Sequence, residues 1–158
     1  STRVRSSAAS DVYKRQRTVM ALDGQRERVL GAAPVGAGPY AVGVNPMTHR
    51  VYVANYTDGS LSVLDGLRLQ VVTTLTVGAR PDGVAIDPLH DRIFISHGTE
   101  DERPAPGRVT MVDGATAEVI ASVAVGDDPS GIAVDPRANR LYVANNAGNS
   151  LTVLQEQP

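Results

Sequence analysis

The apolar positions of this chain come in short runs closed by turn residues, and the same succession of runs recurs in register. Val-Gly stands at 35–36, 77–78 and 125–126, and three residues after each Gly comes Pro39, Pro81 or Pro129. Six residues after each of these prolines an amide or acid precedes another proline: Asn45-Pro46, Asp87-Pro88, Asp135-Pro136. Next come VYVAN (51–55), IFISH (93–97) and LYVAN (141–145), then SLSVLDG (60–66), RVTMVDG (108–114) and SLTVLQE (150–156). The segment TVMALDG (18–24) fits the last of these columns, and Val29, Val71 and Val119 each sit six residues past an Asp of Asp-Gly. β-Branched and aromatic runs bounded by such turn residues read as strands.

Each repeat holds four strand signals, here a to d. Strand a ends at Asn/Asp-Pro, and strand b is the apolar-aromatic run opened by Arg50, Arg92 or Arg140. Strand c ends at Asp-Gly, read as a tight-turn pair that sends the chain back antiparallel, and strand d ends at Val-Gly. Val51 and Val53 lie on one side of strand b, Tyr52 and Ala54 on the other. A sheet apolar on both sides must be covered on both sides, and blades stacked around an axis do this for one another. Strand a is expected innermost, where the small column Gly43, Ala85, Ala133 suits converging blades. The chain is therefore predicted to be all-β, a partial β-propeller of four-stranded antiparallel blades. The boundaries are a partial blade over 17–36, blades over 39–78 and 81–126, and an incomplete blade over 129–155. These hold thirteen strands; closed rings have at least four full blades, so the chain is expected to be a fragment.

The pattern V-G-x-x-P…D-P…R-[LV]-Y-V-A-N…S-[LV]-[ST]-V-[LI]-D resembles the YVTN-type β-propeller repeat, YncE-like, across residues 17–158. It reads Val-Tyr-Val-Ala-Asn at 51–55 and Leu-Tyr-Val-Ala-Asn at 141–145. The resemblance implies about three blades of a seven-bladed ring and an exported protein, periplasmic or extracellular. It implies a binding or scaffold role, with relatives among lactonases and redox-enzyme subunits as the alternative.

Composition narrows the chemistry. There are 22 valines but six aromatics, and 15 glycines with 10 prolines supply frequent turns. Cysteine is absent, so disulfides, thiolate ligands and a catalytic cysteine are excluded. No apolar run is long enough for a membrane span. Ser6–Gln16 reads SSAASDVYKRQ and looks like an in-frame translation of a transposase-type sequencing adapter; it holds the only lysine, Lys14. Residues 1–16 are accordingly expected to be a leader without regular contacts. Without them 11 basic and 16 acidic side chains remain, a net charge of −5, which disfavours nucleic acid as a partner.

In a propeller the d–a and b–c loops emerge on one face, and function is expected there. The loop GTEDERPAPG (98–107) is six residues longer than its counterparts, YTDG and NAGN. Its Glu100, Asp101, Glu102 and Arg103, with His97, Arg80, Asp82, Asp127 and Asp128, are the candidate ligand- or partner-binding residues. His97 takes the place of Asn55 and Asn145; imidazole there can be a base or ligand, or a hydrogen-bonding cap. Asp82, Asp127 and Asp128 could ring the channel mouth. His49 and His90 have no neighbours at ligand spacing and read as solvated. GAGPYAVG (36–43) leads into a strand and lacks the Walker lysine, so it is not a phosphate loop. No catalytic residue, metal or cofactor is assigned. The leading expectation is a non-catalytic binding or scaffold propeller, its partner a protein, polymer or small ligand. The alternative is a lactonase-like hydrolase or redox-enzyme propeller subunit with its site completed by other blades.

Overall fold

The computed structural model describes residues 2–6, 17–99 and 106–155, and every regular element among them is a strand. β1 (Thr2–Ser6), β2 (Thr18–Asp23) and β3 (Arg28–Pro34) make the first sheet. β4 (Pro39–Asn45), β5 (Arg50–Asn55), β6 (Ser60–Asp65) and β7 (Gln70–Thr76) make the second. The third holds β8 (Pro81–Asp87), β9 (Arg92–His97), β10 (Pro106–Asp113) and β11 (Val119–Asp127). The fourth is β12 (Pro129–Asp135), β13 (Arg140–Asn145) and β14 (Ser150–Gln155). Each sheet is an antiparallel meander in sequence order.

The recurring acids and amide are turn acceptors. Asp65 Oδ1 accepts from Leu67 N (2.9 Å) and Arg68 N (3.0 Å), and Asp23 and Asp113 do the same one repeat away. Asn45, Asp87 and Asp135 close the a–b turns identically. These side chains mimic a backbone turn, which explains both columns without catalysis. The expected two-residue Asp-Gly hairpin is replaced by a longer turn, in which the left-handed residue falls later, at Glu27, Leu69 or Ala117. Gly66 serves close approach instead: its N–H bonds His49 O at 2.8 Å, and a Cβ would sit 2.6 Å from that oxygen.

The alternation of strand b sorts the core into inter-sheet layers. Val51, Val53 and Leu64 pack with Val19 and Ala33 between the first two sheets. Tyr52, Ala54, Leu61 and Val63 meet Ile93, Ile95 and Val112 between the second and third. Phe94, Ala85 and Val109 meet Leu141 and Val143 between the third and fourth. The a strands are neighbours: β4 lies beside β8 and β8 beside β12. A Cβ on Gly43 would fall 2.8 Å from Ile86 Cγ1 and Val84 Cγ1, so the small column marks real crowding.

Two expectations need correction. The leader was expected to make no regular contacts, yet β1 pairs with β2 along its length, Thr2 opposite Asp23 and Ser6 opposite Val19. It occupies the ladder position next to strand c, whose free edge would otherwise lie open. The other adapter-like residues, 7–16, lie outside the described residues. The outer faces of the end blades are expected from the sequence to expose Val29, Leu30, Val143 and Val153, but Val143 belongs to the column of Val53, which faces the preceding sheet, and is fully buried there. Val29, Leu30 and Val153 are exposed as expected, Leu151 is exposed too, and β14 is an edge strand among the described residues. Among the described residues no helix is long and apolar enough to cross a membrane.

Candidate functional site

The d–a and b–c loops are laced together in every repeat. The residue before the d–a proline offers its carbonyl to the first residue after strand b: Tyr56 N to Gly38 O, Gly98 N to Arg80 O, Asn146 N to Asp128 O, at 2.8–3.2 Å. These loops therefore share one face, and the described stems of the long loop rise there too. Thr99 O accepts from Arg80 Nη1 at 2.8 Å, Thr99 N lies 3.4 Å from Asp128 Oδ1, and Gly107 abuts Pro129. Glu100, Asp101, Glu102 and Arg103 lie outside the described residues.

All three residues before those prolines are left-handed: Gly38 at φ 66°, Arg80 at 53°, Asp128 at 49°. That backbone suits glycine and costs a side-chain-bearing residue roughly 1–2 kcal/mol. Asp tolerates it better than most; Arg does not.

Arg80, Asp82 and Asp128 gather around Gly98 and Thr99. A Cβ on Gly98 would lie 2.8 Å from Asp82 Oδ2 and 3.5 Å from Asp128 Oδ1, so the absent side chain lets both carboxylates close in. Ser96 Oγ donates to Asp82 Oδ1 at 2.8 Å. Burial pushes the Asp82 carboxyl up to about 6, and the Asp128 charge adds to this against the Ser96 bond. Asp128 also accepts from Asn146 Nδ2 at 3.3 Å. Asp127 takes part through its backbone, its carbonyl accepting from Gly148 N at 3.4 Å. Among the described residues no group of three His, Asp or Glu side chains could hold a metal ion.

His97 lies beneath this cluster rather than in it. It is buried, with Nδ1 2.8 Å from Ala79 O and Nε2 2.9 Å from Thr110 Oγ1. The carbonyl only accepts, so Nδ1 carries the proton and Nε2 receives the threonine hydroxyl. Burial holds the imidazole below its ordinary value, assisted by the Arg108 charge. Asn55 and Asn145 reach Ser62 and Thr152 in the same column, at 2.9 and 2.8 Å. His97 is thus the repeat's cap in a larger form. His90 lies on the turn face with Nδ1 2.7 Å from Asp87 Oδ2.

Sequence reasoning missed the other half of this face. Tyr40 and Tyr56 lie 5.6 Å apart at 37°, and Arg80 Cζ sits 5.8 Å from the Tyr56 ring centre. The row borders a cavity of about 470 Å³ lined by Tyr56, Thr57, Asp58, Thr76 and Arg80. The available signal was their place off the aromatic column: Tyr52, Phe94 and Tyr142 repeat, whereas Tyr40 aligns with Asp82 and Ser130, and Tyr56 with Gly98 and Asn146.

No protein-family model matches the chain, and no curated protein does. Among solved structures it is similar to Kuenenia stuttgartiensis hydrazine synthase, at 22% identity and TM-score 0.77 over 88% of this chain. It is also similar to the dihydro-heme d1 dehydrogenase NirN in complex with DHE, at 19% identity and TM-score 0.67 over 90%. The chain spans 40% and 31% of those two chains. Both are β-propeller proteins, and at these identities the likeness establishes the fold type alone.

Proposed function

We propose that this chain is part of a non-catalytic binding or scaffold propeller, holding a ligand or partner on the face that carries the d–a and b–c loops. The observation that carries the reading is where the repeat stops repeating. Most core and turn columns keep their chemistry from sheet to sheet. The columns Gly38/Arg80/Asp128, Tyr40/Asp82/Ser130 and Tyr56/Gly98/Asn146 change character altogether, and all lie on that one face. Arg80 holds a backbone shape costly for a side chain, and Asp82 is a half-buried carboxylate facing a second one. The YVTN resemblance supports an exported location, periplasmic or extracellular.

The second reading is the propeller portion of an enzyme, either a redox-enzyme subunit or a lactonase-like hydrolase. The likeness to a synthase and a dehydrogenase favours the former, and the gathering of Arg80, Asp82 and Asp128 supplies charged groups for it. A thermal-shift screen of metabolites, oligosaccharides and peptides separates the two. Hits are retested on Arg80→Ala/Asp128→Asn and on the turn-face control Arg68→Ala. Binding lost in the first, kept in the second and without chemical change of the hit supports the scaffold reading. Turnover supports the enzyme, and insensitivity to the loop-face pair overturns the site.

A further inference from the structure

A second cavity, of about 200 Å³, opens on the other side of the molecule between the third and fourth sheets. Its walls are apolar: Phe94, Val109, Val123, Leu141 and Leu154. Polar lining comes from strand and turn ends, Asp87, Arg140 and Gln155 among them.

The repeat shows how this layer differs from the one before it. Between the second and third sheets the corresponding layer is filled by Leu61, Leu75, Ile86 and Ile95. One repeat later the same columns read Val109, Val123, Val134 and Val143, each a methylene shorter; the first three line the cavity, while the columns of Val63 and Val112 lengthen to Met111 and Leu154 on its other walls. Leu61 pairs across the strands with Leu75, and Val109 with Val123, so the shortening is concentrated at one facing pair. The pocket opens to solvent along Val123, which is 42% exposed, and a space of about this size accepts a ligand of roughly benzene's dimensions.

The charge pattern at the polar end changes in the same repeat. In the third sheet Arg92 Nη1 is bonded to Asp113 Oδ2, across the β9–β10 register. In the fourth, Arg140 stands opposite Gln155, which is neutral. Among the described residues Arg140 forms no ion pair, and it lines the cavity. Asp87, the acid nearby, is occupied: it accepts from Leu89 N and His90 N and lies 2.7 Å from His90 Nδ1.

We infer that this cavity is a binding site for a compact apolar carboxylate, an aryl or short-chain acid of about eight to ten non-hydrogen atoms. Its body fills the space beside Val109, Val123 and Val134, and its carboxylate meets Arg140 where the previous repeat supplies Asp113. A guanidinium takes a carboxylate through two parallel hydrogen bonds, so the head fixes the orientation and the cavity the size.

The test is calorimetric titration with phenylacetate, with toluene as the probe lacking the head group. The wild-type chain is expected to bind phenylacetate saturably and more tightly than toluene. Val109→Leu/Val123→Leu restores the filling of the preceding layer and is expected to lose at least tenfold in phenylacetate affinity. Because it fills a void it should melt no lower than wild type, which keeps misfolding apart from loss of the site. Arg140→Gln is expected to lose at least fivefold for phenylacetate and nothing for toluene. Absence of saturable phenylacetate binding, undiminished affinity in the filled variant, or equal affinities for the two probes would each overturn the assignment.

Discussion

Replacing Tyr52 by Phe should stabilise the protein. Tyr52 is 1% exposed at the centre of the layer between the second and third sheets, and its hydroxyl has no hydrogen-bond partner among the described residues. Burial pushes that hydroxyl up to about 12, with the Asp91 charge adding to the effect. Leaving a buried hydroxyl unpaired costs about 1–3 kcal/mol, whereas removing it together with the need for a partner is close to neutral. The oxygen's lost packing returns part of this, so the net gain is about 1 kcal/mol, or about 2–4 °C in Tm for a chain of this size. Phe94, in the same column of the next sheet, shows that the ring alone serves the packing. Urea unfolding followed by circular dichroism measures the change at constant m. Tyr142→Phe is the control: that ring is half-buried on the open side of the fourth sheet, and its change should stay within about 0.5 kcal/mol. Destabilisation of Tyr52→Phe by 1 kcal/mol or more would mean that the hydroxyl is bonded and the layer is not the dry one described.

Asp82→Asn should raise stability at pH 7–8 by roughly 1–2 kcal/mol once solvent screening is allowed for. The wild-type carboxyl titrates near 6 folded against 3.8 unfolded, so wild-type stability falls as pH rises from about 4 to 6; an identical pH profile in the variant refutes this. His97 has the opposite sign: its folded value is lowered, so its contribution is present above about 6.5 and lost as pH falls. His97→Asn, the residue of the flanking repeats, should remove that acid-side loss in urea titrations at pH 5–7. Val143→Ala should cost about 1–3 kcal/mol and Val153→Ala less than about 0.5; comparable losses would contradict their placement. The apolar outer rows, Val29, Leu30, Leu151 and Val153, should make the isolated chain self-associate, and sedimentation showing a monomer over a hundredfold concentration range would contradict it.

Much of the architecture was legible because two periodicities coincide. The two-residue alternation of strand b separates Val51 and Val53 from Tyr52 and Ala54, and the longer repeat says that the next sheet must cover each set. The turn acids were legible as types, but their geometry was not. Asp-Gly suggested a glycine with positive φ, whereas the left-handed slot lies at Glu27, Leu69 and Ala117, where composition gives no hint. Val143 was misplaced because it lies in the last repeat, where the covered side depends on the direction of stacking. At the candidate site the sequence supplied Arg80, Asp82 and Asp128 but not their meeting over Gly98, since contact between neighbouring repeats depends on loop paths. Tyr40 and Tyr56 break the repeated aromatic column, and nothing in their local sequence shows that the d–a and b–c loops bring them together.

The central claim is that the repeats fold into sheets stacked with their a strands side by side, leaving the loop face free to vary. The chain contains no cysteine, so a single engineered pair can report this without competition. Gly43 on β4 points its missing Cβ at Ile86 of β8, 2.8 Å from Cγ1, a separation that disulfide geometry can bridge once Ile86 is shortened. In Gly43→Cys/Ile86→Cys, mild oxidation of the folded protein should give an intramolecular disulfide in near-complete yield. Gly43→Cys/Ile132→Cys, which reaches one sheet further to β12, should give none. Failure of the first pair to close, or equal closure of both, would contradict the stacked arrangement on which the functional reading rests.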